Sequence, residues 1–214
     1  MSVDRSGVAW IEYVSQSLLG FNGAEMFKVS TKDASCTATT YASGQQGMDE
    51  FGMGFVSDTA GSNQETLFIA GGSATNTNQE WIGTFSTSTL MVMRGNMING
   101  RPELTGTGKS ELWGFFPDIN PGDKMARISK LDKVNGTESN TIMLESKLGG
   151  STAEAWAFAF YGGDFWVFLK RANDASTIVY YVKASDGSIQ SWAVPGRKIV
   201  GAGVSTCAPT VPIG

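Results

Sequence analysis

Histidine is missing from all 214 residues. Its absence removes the commonest general base and the commonest metal ligand together, and any nucleophile triad built on imidazole. Cysteine is nearly missing. Cys36 and Cys207 are too few for a structural zinc site and leave either one disulfide between them or two free thiols. Charge is sparse as well: 17% of residues are charged, with 16 basic against 20 acidic side chains and a net charge of −4. No basic footprint exists, which argues against a nucleic-acid partner. No apolar run approaches the roughly 20 residues of a membrane helix. Met1-Ser2-Val3-Asp4-Arg5 is followed by no apolar region of the signal-peptide kind.

What remains is 27 glycines, much Ser, Thr and Asn, and short apolar runs between turn residues. That mix predicts many short strands. Strand-like runs fall at 8–14, 25–30 and 36–42; at 51–57, 66–70, 80–86 and 89–94; and at 103–107, 111–116, 124–131 and 140–145. The clearest pair follows at 155–170, AWAFAFYGGDFWVFLK, then 177–184, 188–194 and 199–205. In 155–170 the Trp/Phe–Ala alternation predicts a half-buried strand. The unbroken apolar run after Gly162-Gly163 predicts one buried on both faces. Asn135-Gly136 and Asp186-Gly187 are further hairpin signals.

The runs recur in sets of four with a period of roughly 50 residues, the signature of a β-propeller. The expected architecture is all-β, one domain over 1–214, with blades at about 1–46, 47–100, 101–149 and 150–196 and a closing or extra strand at 197–209. Gly52, Gly54, Gly106, Gly201 and Gly203 sit in first strands, where crowding at the axis favours small residues. The Gly-x-Gly pairs precede no helix, so a dinucleotide site fails its structural context. Two closures are open. The strand at 199–205 completes the N-terminal blade and gives four blades, with Cys207 on the face of the turn carrying Cys36. Alternatively residues 1–4 are themselves a first strand, and 199–205 begins an incomplete fifth blade.

Phe51-Gly52-Met53-Gly54-Phe55, Glu111-Leu112-Trp113-Gly114-Phe115-Phe116, residues 155–169 and Val200-Gly201-Ala202-Gly203-Val204-Ser205-Thr206-Cys207-Ala208-Pro209 resemble a family of uncharacterised secreted lipoproteins from myxobacteria. The likeness runs from about Met1 to Pro209. Members of that family carry further sequence, with an export signal, before the point matching Met1. The resemblance therefore implies the five-blade reading and a cell-envelope location, and it implies no catalytic residue.

Trp10, Trp81, Trp113, Trp156, Trp166 and Trp192 all fall in predicted strands and are expected to pack between blades. Loops joining second to third strands, at 16–23, 71–79, 117–123 and 171–176, are the expected binding positions. They supply Phe21, Asn22, Asp118, Asp123, Arg171 and Asp174, with Glu154 nearby before a first strand. Asp118 to Asp123 offers oxygen ligands without the spacing of a calcium loop, and a Pro-Gly turn accounts for it. Glu50, Glu103 and Glu154, with Asp49, precede first strands and could meet as an acid/base pair at one end of the axis. The expectation is a non-catalytic module of a bacterial cell envelope that binds a protein or a glycan, with no cofactor and no metal. The alternative is a carboxylate-dependent hydrolase or lyase at the channel mouth.

Overall fold

The turns between third and fourth strands show how one local solution is used four times. In each, an N–H donates back four residues to a carbonyl: Ala34 to Ser30, Leu90 to Ser86, Gly136 to Asp132 and Gly187 to Lys183, at 2.8–2.9 Å. The donating residue always sits at positive φ, between 58° and 72°. Asp33, Asp132 and Asp186 accept amide hydrogens from residues two positions on, which fixes the turns from inside.

These turns belong to four antiparallel meanders in a computed structural model. It describes residues 1–17, 20–75, 79–117, 119, 126–144, 148 and 151–211, with backbone alone for 16–17 and 20–22. Blade 1 holds β1 (Ser2–Val3), β2 (Val8–Ser17), β3 (Gly20–Ser30) and β4 (Cys36–Ala38). Blade 2 holds β5 (Glu50–Ser57), β6 (Glu65–Gly72), β7 (Glu80–Phe85) and β8 (Val92–Ile98). Blade 3 holds β9 (Glu103–Gly106), β10 (Leu112–Phe116), β11 (Arg127–Leu131) and β12 (Glu138–Met143). Blade 4 holds β13 (Ala153–Tyr161), β14 (Asp164–Arg171), β15 (Ile178–Val182) and β16 (Ile189–Ala193). Together they form a four-bladed β-propeller.

The first strand of each blade is innermost, and these strands approach one another backbone to backbone. A Cβ on Gly52 would lie 2.3 Å from the Pro102 carbonyl, and one on Gly106 would lie 2.1 Å from that of Phe55. Hydrogen bonds lace the same strands together. The Phe55 amide donates to Ser2 Oγ, the Ser57 amide to the Thr107 carbonyl, and the Phe160 amide to Thr105 Oγ1.

Outward from the axis, three blade junctions hold apolar cores. Trp10, Met26, Met53 and Ile69 pack between blades 1 and 2. Ile82, Leu104, Leu112 and Phe116 pack between blades 2 and 3. Phe115, Ile128, Phe158 and Phe165 pack between blades 3 and 4, with the last two rings stacked at 5.5 Å. Among the described residues no such cluster forms between blades 4 and 1.

The hairpin at 155–170 has its predicted Gly162-Gly163 turn, at φ 68° and 90°, with Tyr161 paired to Asp164. Its burial is the reverse of the expectation. The alternating strand, β13, is enclosed on both faces, because Phe158 and Phe160 meet blade 3 while the small Ala157 and Ala159 lie close under other chain. The continuous apolar strand, β14, buries Phe165, Val167 and Leu169 but leaves Trp166 and Phe168 half open.

Ser2–Val3 is the inner strand of blade 1, so the early placement of a first strand holds. Residues 199–205 form no strand and join no sheet. The chain beyond them ties the blades together. Thr206 donates its hydroxyl to Glu65 Oε2 at 2.6 Å and accepts from Arg5 Nη1 at 2.9 Å. The Arg5 amide also donates to Glu65 Oε1. The Thr206 carbonyl lies over Gly108, and Pro209 accepts from the Gly162 amide. All four blades are touched by four consecutive residues. Cys36 and Cys207 are both free and exposed. Cys36 begins the outermost strand of its blade, while residue 206 is held at an inner turn. Three strand spacings, about 14 Å, separate those positions, beyond the reach of a disulfide.

Replacing Thr206 by Val keeps the shape and removes both charge-assisted hydrogen bonds from a buried position. We expect a loss of about 2 kcal/mol, read as a fall in thermal midpoint of roughly 4–8 °C, with Thr206→Ser restoring most of it. An unchanged midpoint would show that the clasp contributes nothing.

Candidate functional site

Two constellations stand out, one near the axis and one between blades 4 and 1. Near the axis, Glu12 projects from β2 on the face that carries Trp10, and its Oε2 accepts the Phe51 amide at 3.0 Å. Its Oε1 is buried without a hydrogen-bond partner among the described residues. Glu50 and Glu103 begin β5 and β9 and act electrostatically on Glu12. Burial lifts the Glu12 carboxyl well above its usual range; the Phe51 amide and the N-terminal ammonium oppose this, and the charges of Glu50 and Glu103 add to it. Burial likewise pushes Glu103 up to about 7; the N-terminal ammonium opposes this and Glu50 adds to it. The Tyr41 hydroxyl, also buried without a partner, is raised by burial and by the neighbouring Glu12 and Asp49.

Arg101 limits how much charge this end of the axis carries. Its Nε meets Glu80 Oε1 at 2.9 Å, its Nη1 meets Glu50 Oε2 at 3.2 Å, and its Nη2 donates to the Ser73 carbonyl. Glu50 is thereby held as a salt-bridged carboxylate, while Glu103 has no such cation within salt-bridge reach among the described residues. A carboxyl that titrates near neutrality beside a paired carboxylate can exchange a proton at physiological pH. Among the described residues no group of acids and thiols is arranged to hold a metal ion.

The second constellation is a groove of about 450 Å³. Its walls are Ala159, Tyr161, Trp166 and Phe168 of blade 4, Met1, and residues of 199–204. The pairings Ala159–Trp166 and Trp166–Tyr181 put these side chains on one face of the blade. Trp192 from β16 joins them. Its ring meets Trp166 edge-on at 5.3 Å, and the Tyr181 ring lies 5.2 Å from Trp166. Trp192 is 61% exposed and Tyr161 44% exposed.

The sequence-predicted residues are scattered between and beyond these places. Glu154 does not join the carboxylates: it is exposed and ion-paired to Lys170, whose hydrogen bond holds it below its usual range. Arg171 is buried, donates to the Ser151 carbonyl, and has its amide on Asp174. The two residues shape the loop after β14. Phe21 and Asn22 lie within β3 and not in a loop, because pairing extends to Ser17 and Gly20. Asp118 and Asp123 lie outside the described residues.

Tryptophan packing is corrected at Trp192; Trp10 is buried as expected. Sequence reasoning passed over Glu12, although a lone acid in the apolar run VAWIEYV, two residues from Trp10, is a signal. No protein-family model matches the chain, and comparison with curated proteins finds no match.

Glu103 binds its proton more tightly when folded, at about 7 against an ordinary 4.5. The folded state therefore holds more protons between those values, and stability is lost as pH rises through them. Thermal melts should show the midpoint falling from pH 5 to pH 8, with Glu103→Gln flattening the fall and raising the midpoint at pH 8. The same slope in the variant would place the proton elsewhere.

Proposed function

We propose that this protein is a non-catalytic interaction module that grips an apolar segment of a protein partner in the groove between blade 4 and residues 199–204. The observation that carries the reading is the contiguous aromatic face of Tyr161, Trp166, Phe168, Tyr181 and Trp192, part of it open to solvent. Single exposed apolar residues are ordinary, whereas an aromatic cluster beside a groove is what protein-binding surfaces present. Among the described residues no charged side chain lines the groove, so recognition rests on shape and apolar contact. A bacterial cell-envelope setting, carried by the family resemblance, belongs to the same proposal.

The near-neutral Glu103 supports a second reading, a carboxylate-dependent hydrolase or lyase at the axis. There Glu103 would donate the proton, and Glu50, held by Arg101, would be the second carboxyl group of the pair. Hydrolysis or elimination of a glycan that is lost in Glu103→Gln would favour this reading over the first.

The binding reading is tested with a peptide selected from a displayed random library against the folded protein. Trp166→Ala and Trp192→Ala should each weaken the selected peptide at least tenfold in a calorimetric titration. Trp192→Ala should leave the thermal midpoint within about 1 °C, since its ring is largely solvent-exposed. Unchanged affinity in both variants would overturn the assignment of the groove. Binding on a glycan array lost in the same variants would transfer the groove to a sugar.

A further inference from the structure

The outer edge of blade 2 is closed by two side chains in place of a strand. β8 is the longest of the four outermost strands, and it carries Met93 and Met97, 67% and 60% exposed. Its sequence VMRGNMI holds one charge and no proline, so the usual deterrents to edge pairing are nearly absent. Its main-chain groups are nevertheless taken. Gln45 Oε1 accepts the Val92 amide at 2.9 Å, and Gln45 Nε2 donates to the Leu90 carbonyl at 2.9 Å. Gln46 Oε1 accepts the Arg94 amide at 3.0 Å, and Gln46 Nε2 donates to the Val92 carbonyl at 2.9 Å. A carboxamide offers the same donor and acceptor as a peptide group. The two side chains therefore bond alternate residues along β8 as a fifth strand would.

The linker between blades 1 and 2 is shaped to present them. Adjacent residues of a strand point to opposite sides, so an extended 44–47 could aim only one glutamine at β8. Instead Gly44, Gln46 and Gly47 lie at positive φ, 77°, 55° and 73°, and both amides meet the same edge. Gln46 takes this conformation despite its Cβ. Arg94 secures it: Nη1 donates to the Gln46 carbonyl at 2.6 Å, and the guanidinium lies 4.5 Å from the centre of the Trp81 ring. Past Arg94 the edge is interrupted by other means. Gly83 stands opposite Arg94 and Trp81 opposite Met97, so one extra residue bulges β8 between them. Side chains cover the first half of the edge, and the bulge breaks the second.

We infer that Gln45 and Gln46 are an edge guard, which keeps β8 from pairing with the β8 of a second copy of this chain. Antiparallel pairing of a strand with its own copy is self-complementary, so one open edge suffices to make a dimer. The exposed methionines would add adaptable apolar contact across such a pair. The guard is independent of the groove beside blade 4 and of what binds there.

The test compares the protein with the double variant Gln45→Ala/Gln46→Gly, in which glycine keeps the left-handed turn without a side chain. At low concentration the variant should exchange its Val92 and Arg94 amides faster, by about tenfold or more. Across a concentration series its light-scattering mass should rise above that of the unaltered protein. Met93→Lys, added to the variant, should reverse the rise by placing a charge on the edge strand. Unchanged exchange at Val92 and Arg94 would overturn the pairing by the glutamines. Faster exchange with the mass of the unaltered protein at every concentration would overturn the guard. So would a rise that Met93→Lys does not reverse, since the contact would then lie elsewhere. Should the double variant not fold, Gln46→Gly alone is read at the Arg94 amide and in mass by the same criteria.

Discussion

Four sheets can meet at one axis only if their innermost strands carry almost nothing on the faces that touch. The backbone-to-backbone approach of β5 and β9, at Gly52 and Gly106, is the contact on which everything outside it depends. It sets the distance between blades, and that distance decides which side chains fill each wedge. Near the axis the filling is Ala, Ser and Thr, with the hydroxyls of Ser2 and Thr105 taking up amides that no ladder could reach. Further out the wedge opens and admits Phe, Met and Trp. An added methyl at the apex would be felt along the whole length of two blades, since protein interiors do not deform to absorb it.

The ring is not evenly filled. Three junctions are apolar cores, whereas among the described residues the fourth holds the segment 199–204 and no such core, which leaves blade 4 with large rings facing the groove. The same irregularity places Met1 and Gly203 against each other and opens the groove. The axial carboxylates lie where β5 and β9 begin, in a polar setting organised by Arg101. The two constellations therefore differ in kind: one is an apolar surface made by incomplete packing, the other a half-buried charge arrangement beside the axis.

Much of the fold was legible because it is written in local chemistry. Asn135-Gly136 and Asp186-Gly187 announce turns that need a left-handed residue, and the apolar runs between them have strand length. The equivalent turns at Ala34 and Leu90 were harder to read, since residues with a Cβ rarely take that conformation and tertiary context forces them into it. The inverted burial of β13 and β14 was not legible either. Periodicity records how side chains alternate, and not whether an alanine face is covered by chain from far away. Glu12 and Trp192 were missed for a related reason. Whether an acid in a strand is enclosed, or a tryptophan in a strand is bare, depends on neighbours from other strands, such as Phe51 for Glu12 and Trp166 for Trp192.

The clasp at residues 206–209 has a consequence for the order of assembly. Each blade is a meander whose strands are near neighbours in sequence, so a blade can take shape as soon as its own residues are available. The hydrogen bond from Arg5 to Thr206 spans 201 residues. During synthesis the blades must accordingly stack as an open spiral, with the apolar faces of the first and fourth uncovered. Only the last contacts convert that spiral into a ring. The clasp ties the first and last blades together without covering them: Tyr13, Tyr161 and Trp192 stay exposed once it has formed.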